Sequence, residues 1–193
     1  MLNTQLKAAG IPECINGKKL SPVDALVSGG LSSKPYQDII LTHFDSFSIE
    51  EKTWAARMLS EKGLIAAVPY LLSVFHEYTG QKIDLWAVGN ALSIIDDPQS
   101  YNEILIICKD SKYGHARQML MSTLAKMKTE EAYSVLLDCL FDDSVRGHAI
   151  EALGKFGDIR ALNILESLDV KRGYFEFKAK ETAIKRLKKK EKL

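Results

Sequence analysis

Histidine and cysteine are the residues of this chain best suited to chemistry, and their spacing speaks against it. His43, His76, His115 and His148 are scattered along 193 residues, with no HExxH pair and no CxxC. A zinc site needs three or four such ligands converging tetrahedrally, so no metal is expected. Cys14, Cys108 and Cys139 have no short paired spacing, and the last two fall in apolar helical runs. They read as small, reduced core residues rather than a disulfide framework. No G-x-S-x-G turn occurs, and Gly29–Gly30 is not followed by the Lys-Ser/Thr of a phosphate loop. Asp96 and Asp97 could serve as a carboxylate pair, but directly before Pro98 they fit turn and capping chemistry better. The chain is therefore expected to be non-catalytic and to carry no cofactor.

Basic residues offer a second kind of chemistry. The net charge of +1 conceals a mildly acidic body and a basic end: residues 171–193 hold ten Lys/Arg and three Asp/Glu. Lys185, Arg186, Lys188, Lys189 and Lys190 are the candidate nucleic-acid contacts, since lysines neutralise phosphates and release counterions. No aromatic residues interleave there to stack bases. A solvated polar cap is the simpler expectation. Lys52, Arg117, Arg146 and Lys180 form a second basic set, and acidic neighbours such as Glu50, Asp110 and Asp142 suggest pairing that fixes register.

What must position all these residues is a repeat. In the column Ala55, Val88, Leu120, Ala149, Ala183 the steps are 33, 32, 29 and 34 residues. Four residues on stand Leu59, Leu92, Leu124, Leu153 and Leu187. Twelve on stand Ala67, Ser100, Ala132 and Ala161, all small, and sixteen on Leu71, Ile104, Leu136 and Leu165. Self-similarity near this period marks stacked helical repeats, and the i, i+3, i+4 spacing of apolar residues marks two helices per unit. The punctuation agrees. Gly63 and Gly157 suit left-handed caps between paired helices, Pro98 a first helical turn, and Ser48 with Glu51 a capping box. Thr129 and Asp143 suit N-caps. No run alternates with period two for long, so essentially no sheet is expected.

Two stretches carry a resemblance. VRGHAIEALGKFGDIRALNILESL (145–168) resembles the short HEAT-like repeat of the phycobilisome-lyase type, with its V-R-x-x-A-x-x-A-L-G core, and WAARMLSEKGLIAAVPYLLSVF (54–75) is similar to it. The second unit departs, with Leu85 at the basic position and DDPQ in its turn. The resemblance covers roughly residues 51–187 and implies an all-α solenoid of about four to five HEAT-like helical pairs. The expected organisation is one domain over 1–193. Residues 1–47 form an N-terminal helical cap or degenerate repeat, with helices near 2–9, 22–28 and 35–45; the repeats occupy 48–187, and 188–193 is a basic tail.

In such a fold the second helices line the concave face. The outward residues expected there are Tyr70, Ser73, Glu77, Asn102, Ser134, Asp138, Asn163 and Ser167. The expected function is protein–protein interaction on that face, burying about 800 Å² per partner. Alternatives are an immunity protein that inhibits a bacterial toxin and, implied by the resemblance, a bilin-lyase-like protein; nucleic-acid binding is the other. No apolar run long enough to span a membrane and no secretory start are present, so the expected location is the cytoplasm.

Overall fold

Ala55, Val88, Leu120, Ala149 and Ala183 are at most 1% exposed, and so are the five leucines of the second column. Ala67, Ser100, Ala132, Ala161 and the four aliphatic residues of the last column are buried with them. The columns are thus the interior. The computed structural model describes residues 1–80 and 83–191, the last by its backbone alone. Lys192 and Leu193 of the basic tail lie outside the described residues. The chain divides into two compact units, Met1–Asp97 and Pro98–Leu193.

The first unit holds α1 (Leu2–Ala8), α2 (Pro22–Val27), α3 (Gln37–His43), α4 (Ile49–Met58), α5 (Val68–Glu77) and α6 (Trp86–Ile95). The helices expected near 2–9, 22–28 and 35–45 are α1, α2 and α3. Ser21 caps α2 through the Asp24 N–H, with Pro22 at its first position. Ser48 and Glu51 close the capping box on α4, and the Glu51 carboxylate also accepts the Leu2 N–H at 2.8 Å, which ties α1 to α4. α4 packs against both α5 and α6. The turn after α4 is held by the Gly63 N–H, which donates to the Ile95 carbonyl at the end of α6 (3.1 Å).

Contrary to the expectation of no sheet, β1 (Cys14–Ile15) and β2 (Lys18–Lys19) form a minimal antiparallel hairpin. Asn16 and Gly17 both adopt positive φ (50° and 76°), the turn chemistry that matches strand twist with only two loop residues. Cys14 on this hairpin is exposed, not core; only Cys108 and Cys139 are buried.

The second unit holds α7 (Tyr101–Lys109), α8 (Leu120–Met127), α9 (Glu130–Asp138), α10 (Arg146–Phe156), α11 (Ala161–Ser167) and α12 (Phe175–Glu191). α10 packs against α8 on one side and α12 on the other, while α9 and α11 each pack beside their own first helix. Two glycines let α12 approach. A Cβ on Gly154 would sit 2.7 Å from the Ala183 Cα, and one on Gly147 would sit 2.6 Å from the Phe175 ring. Thr129 caps α9 through the Ala132 N–H as expected. Asp143 does not cap α10: it is exposed and pairs with Arg146, and the turn before α10 is made by Asp142, whose carboxylate accepts the Ser144 N–H at 2.9 Å. Asp142 takes the turn role, while the Asp143 carboxylate is engaged by Arg146.

Adjacent pairs in this unit are locked by alternating cations and rings. The Lys128 amine lies 4.8 Å over Phe156, Phe156 tilts against Tyr133 at 5.4 Å, and the Arg160 guanidinium lies 4.7 Å over Tyr133. The Tyr133 ring does this work alone, because its buried hydroxyl has no hydrogen-bond partner among the described residues. Tyr133→Phe is therefore expected to keep or raise stability, by up to about 1 kcal/mol, as read by chemical denaturation.

Candidate functional site

Three of the second helices, α7, α9 and α11, end on a cation from the chain that follows. The last carbonyls of a helix lack partners and carry negative partial charge. Arg117 donates to the Cys108 carbonyl at the end of α7 (3.1 Å), and Arg146 to the Leu140 carbonyl in the turn extending α9 (2.8 Å). Lys180 donates to the carbonyls of Glu166 (2.9 Å) and Leu168 (2.6 Å) at the end of α11. In the first unit, Lys52, 3% exposed, instead places its amine 2.7 Å from both Glu77 carboxylate oxygens at the end of α5. The basic set is thus structural, made of four helix-end locks rather than a ladder open to phosphate.

Arg117 anchors a concave feature of the second unit. It stands at the end of the 3₁₀ segment Ser111–Arg117, which Asp110 begins by accepting the Lys112 N–H and which Gly114 bends at φ 45°. It is 2% exposed. Its guanidinium donates to the carbonyls of Gly114 and Cys108, to the Asp142 carboxylate and to the Ser144 hydroxyl. Burial alone would raise the Asp142 carboxyl, but hydrogen bonds from Ser144 and Arg117 outweigh it and hold it below the ordinary carboxylate range. Above this guanidinium opens a cleft of about 470 Å³, lined among others by Cys108, Ser134, Val135, Asp138 and Cys139. Burial pushes both thiols up, Cys139 to about 11, so both are neutral at physiological pH and lack the thiolate needed for nucleophilic attack.

Two of the sequence-predicted face residues, Ser134 and Asp138, meet in this cleft, one helical turn apart on α9. Asn102 on α7 and Asn163 and Ser167 on α11 are exposed on their second helices. In the first unit the three residues named are less open. Tyr70 is half-buried because its ring packs on the buried Phe44 at 5.6 Å, Ser73 is half-buried and donates to the Tyr70 carbonyl, and Glu77 is committed to Lys52.

Two large apolar side chains near these positions are also exposed. Ile106 is 66% exposed, one turn beyond Asn102 on α7. Phe141 is 83% exposed, between the cleft-lining Cys139 and Asp142. Ile106 was within reach of the sequence, since it lies four residues after an outward position; Phe141 was not, because the turn that swings it outward breaks the helical period.

At the C-terminal end, Lys188 pairs with Glu166 at 2.6 Å and Lys190 donates to the Gly157 carbonyl at 2.7 Å. Lys185, Arg186 and Lys189 are exposed and make no hydrogen bond or ion pair among the described residues. His148 lies within α10, its ring 5.1 Å from Phe175, and burial pushes its imidazole below the ordinary histidine range. No three His, Cys, Asp or Glu side chains among the described residues form a metal-binding group, and no described helix is long and apolar enough to cross a membrane. Asp96 takes a turn role, closing α6 in the left-handed conformation at φ 60°.

No curated protein and no solved structure matches the chain. Residues 103–173, the stretch from α7 to the end of α11, match the family model for HEAT repeats, which identifies these paired helices as HEAT-like.

Proposed function

We propose that this chain is a non-catalytic binding module that holds another protein on the face made by its second helices, the helical pairs stacking as one short solenoid. The observation that carries the reading is the cleft at Ser134 and Asp138, flanked in sequence by the exposed Phe141. Hot spots of protein interfaces are aromatic anchors beside polar groups that are desolvated on binding. HEAT repeats commonly mediate protein–protein interaction, which agrees. The V-R-x-x-A-x-x-A-L-G core at 145–154 supports grouping these repeats with the short phycobilisome-lyase type.

The test is a photo-crosslinking amino acid placed at Ser134, at Asn163 and, as a control, at Thr182 on the exposed side of α12, in cells of the native host. A discrete protein adduct is expected from the first two sites and not from the third. Ser134→Arg, which fills the cleft without touching the core, is expected to reduce capture at least tenfold with an unchanged circular dichroism spectrum. Equal adducts from all three sites, or capture unaffected by Ser134→Arg, would overturn the reading.

Nucleic-acid binding through α12 is the second reading, favoured by the uncommitted Lys185, Arg186 and Lys189. It requires a gel shift whose salt slope falls by about one per lysine removed. A shift unchanged by Lys185→Gln and Lys189→Gln would end it.

A further inference from the structure

We propose that the cleft between α7 and α9 seats a lysine or arginine side chain of the bound protein, its aliphatic stem over Val135 and Cys139 and its charged head at Asp138. The inference rests on the docking face proposed above and specifies its partner's chemistry.

The charges of the cleft leave one group over. Glu131 is paired with Lys109 at 2.5 Å. Arg117 and Asp142 are committed to each other, and the other Asp142 oxygen accepts from Ser144. Asp138, also lining the cleft, is exposed and makes no ion pair or hydrogen bond among the described residues. Ser134, one turn before it, is likewise uncommitted and can accept a further donor. The cleft therefore presents a single net negative charge with hydroxyl support.

The lining of the cleft also includes the apolar side chains of Val135, Cys108 and Cys139, whose thiols are neutral. A small cation would leave this apolar wall wetted, and a neutral apolar side chain would bury Asp138 without compensation. A long cationic side chain satisfies both, because its methylene stem covers apolar surface while its head stays with the carboxylate. Phe141 beside the cleft offers an apolar contact to the residue flanking that cation in the partner. An acidic segment would meet Asp138 as a like charge.

The experiment is a ¹⁵N chemical-shift titration of the full chain with N-acetyl-arginine amide, N-acetyl-lysine amide, N-acetyl-citrulline amide and N-acetyl-glutamate amide. Saturable shifts confined to residues 108–117 and 131–142 are expected for the two cations, at millimolar concentration. Citrulline, which has the shape of arginine without its charge, is expected to bind at least threefold more weakly, and Asp138→Asn to bring arginine down to the citrulline level. Equal binding of citrulline and arginine, preferred binding of glutamate, or shifts indifferent to Asp138→Asn would overturn the inference. If the cations fail while Ser134→Arg still abolishes crosslinking, the docking face stands and only the cationic occupant falls. If capture is also indifferent to Ser134→Arg, both fall.

Discussion

Gly154→Ala is expected to destabilise the protein by about 2 kcal/mol, although helix propensity by itself predicts the opposite sign. In an open helix the change would gain about 1 kcal/mol. Here the new methyl meets the Ala183 Cα and Cβ, both at 2.7 Å, and the Cα is backbone that cannot rotate away. α12 has to move off α10, loosening the packing of Ala183 and Leu187, both now buried. Gly147→Ala is the internal control. Its methyl meets the ring of Phe175, a side chain 53% exposed that can swing outward at the loss of its contact with the His148 ring, so the propensity gain offsets the shift and the variant is expected to be close to neutral. Urea denaturation of the two variants checks the pair; destabilisation of the same size in both would show that the approach of α12 at Ala183 is not what fixes Gly154.

Arg117→Leu is expected to cost more, about 3 kcal/mol, the lower end of the scale for removing one partner of a buried ion pair, since Asp142 is only partly buried. The leucine fills the space but leaves the buried Cys108 carbonyl without its donor and the Asp142 carboxylate without its cation. The same change alters the acid limb. In the native protein the Asp142 carboxyl titrates below its ordinary value of about 4, so its contribution to stability is complete above that pH and is lost as pH falls through the lowered native value. Without Arg117 only Ser144 still lowers it, against burial that raises it. The acid-unfolding midpoint is therefore expected to move to higher pH. Arg117→Lys should recover part of the stability at neutral pH, since it restores the charge but not the fork that reaches both the carbonyl and the carboxylate. An acid midpoint in Arg117→Leu equal to that of the native protein would disconnect Asp142 from the guanidinium.

The interior of this protein is legible in its sequence because packing repeats. A leucine at every member of one column and small or aliphatic residues in the others leave few alternatives to paired helices, and these residues are buried. The caps at Ser48 and Thr129 are equally readable, since a side-chain oxygen three residues before an open N–H is a local signal. What the sequence conceals depends on which of two neighbours turns the chain. Asp142 and Asp143 are equivalent on paper, and only the path of the backbone assigns the turn to the first. The cleft is hidden for a related reason. Ser134 and Asp138 can be placed on an outward stripe, but whether an outward carboxylate is already paired is a fact of three dimensions: Glu77 is taken by Lys52, while Asp138 is left over. The Asn16–Gly17 hairpin was a missed local signal rather than a hidden one.

The helix-end locks carry an order in time. The carbonyls that finish α7, the turn after α9 and α11 are each satisfied by a residue encoded downstream: Arg117, Arg146 and Lys180. On a ribosome, where the chain emerges from its N-terminal end, each of these three helix ends must wait with open carbonyls until the next stretch of polypeptide has cleared the exit tunnel. A nascent chain halted before Lys180 would therefore hold α11 frayed however well α10 had folded, and arrested chains of increasing length should gain protease resistance in steps set by these cations rather than by the ends of the helices themselves.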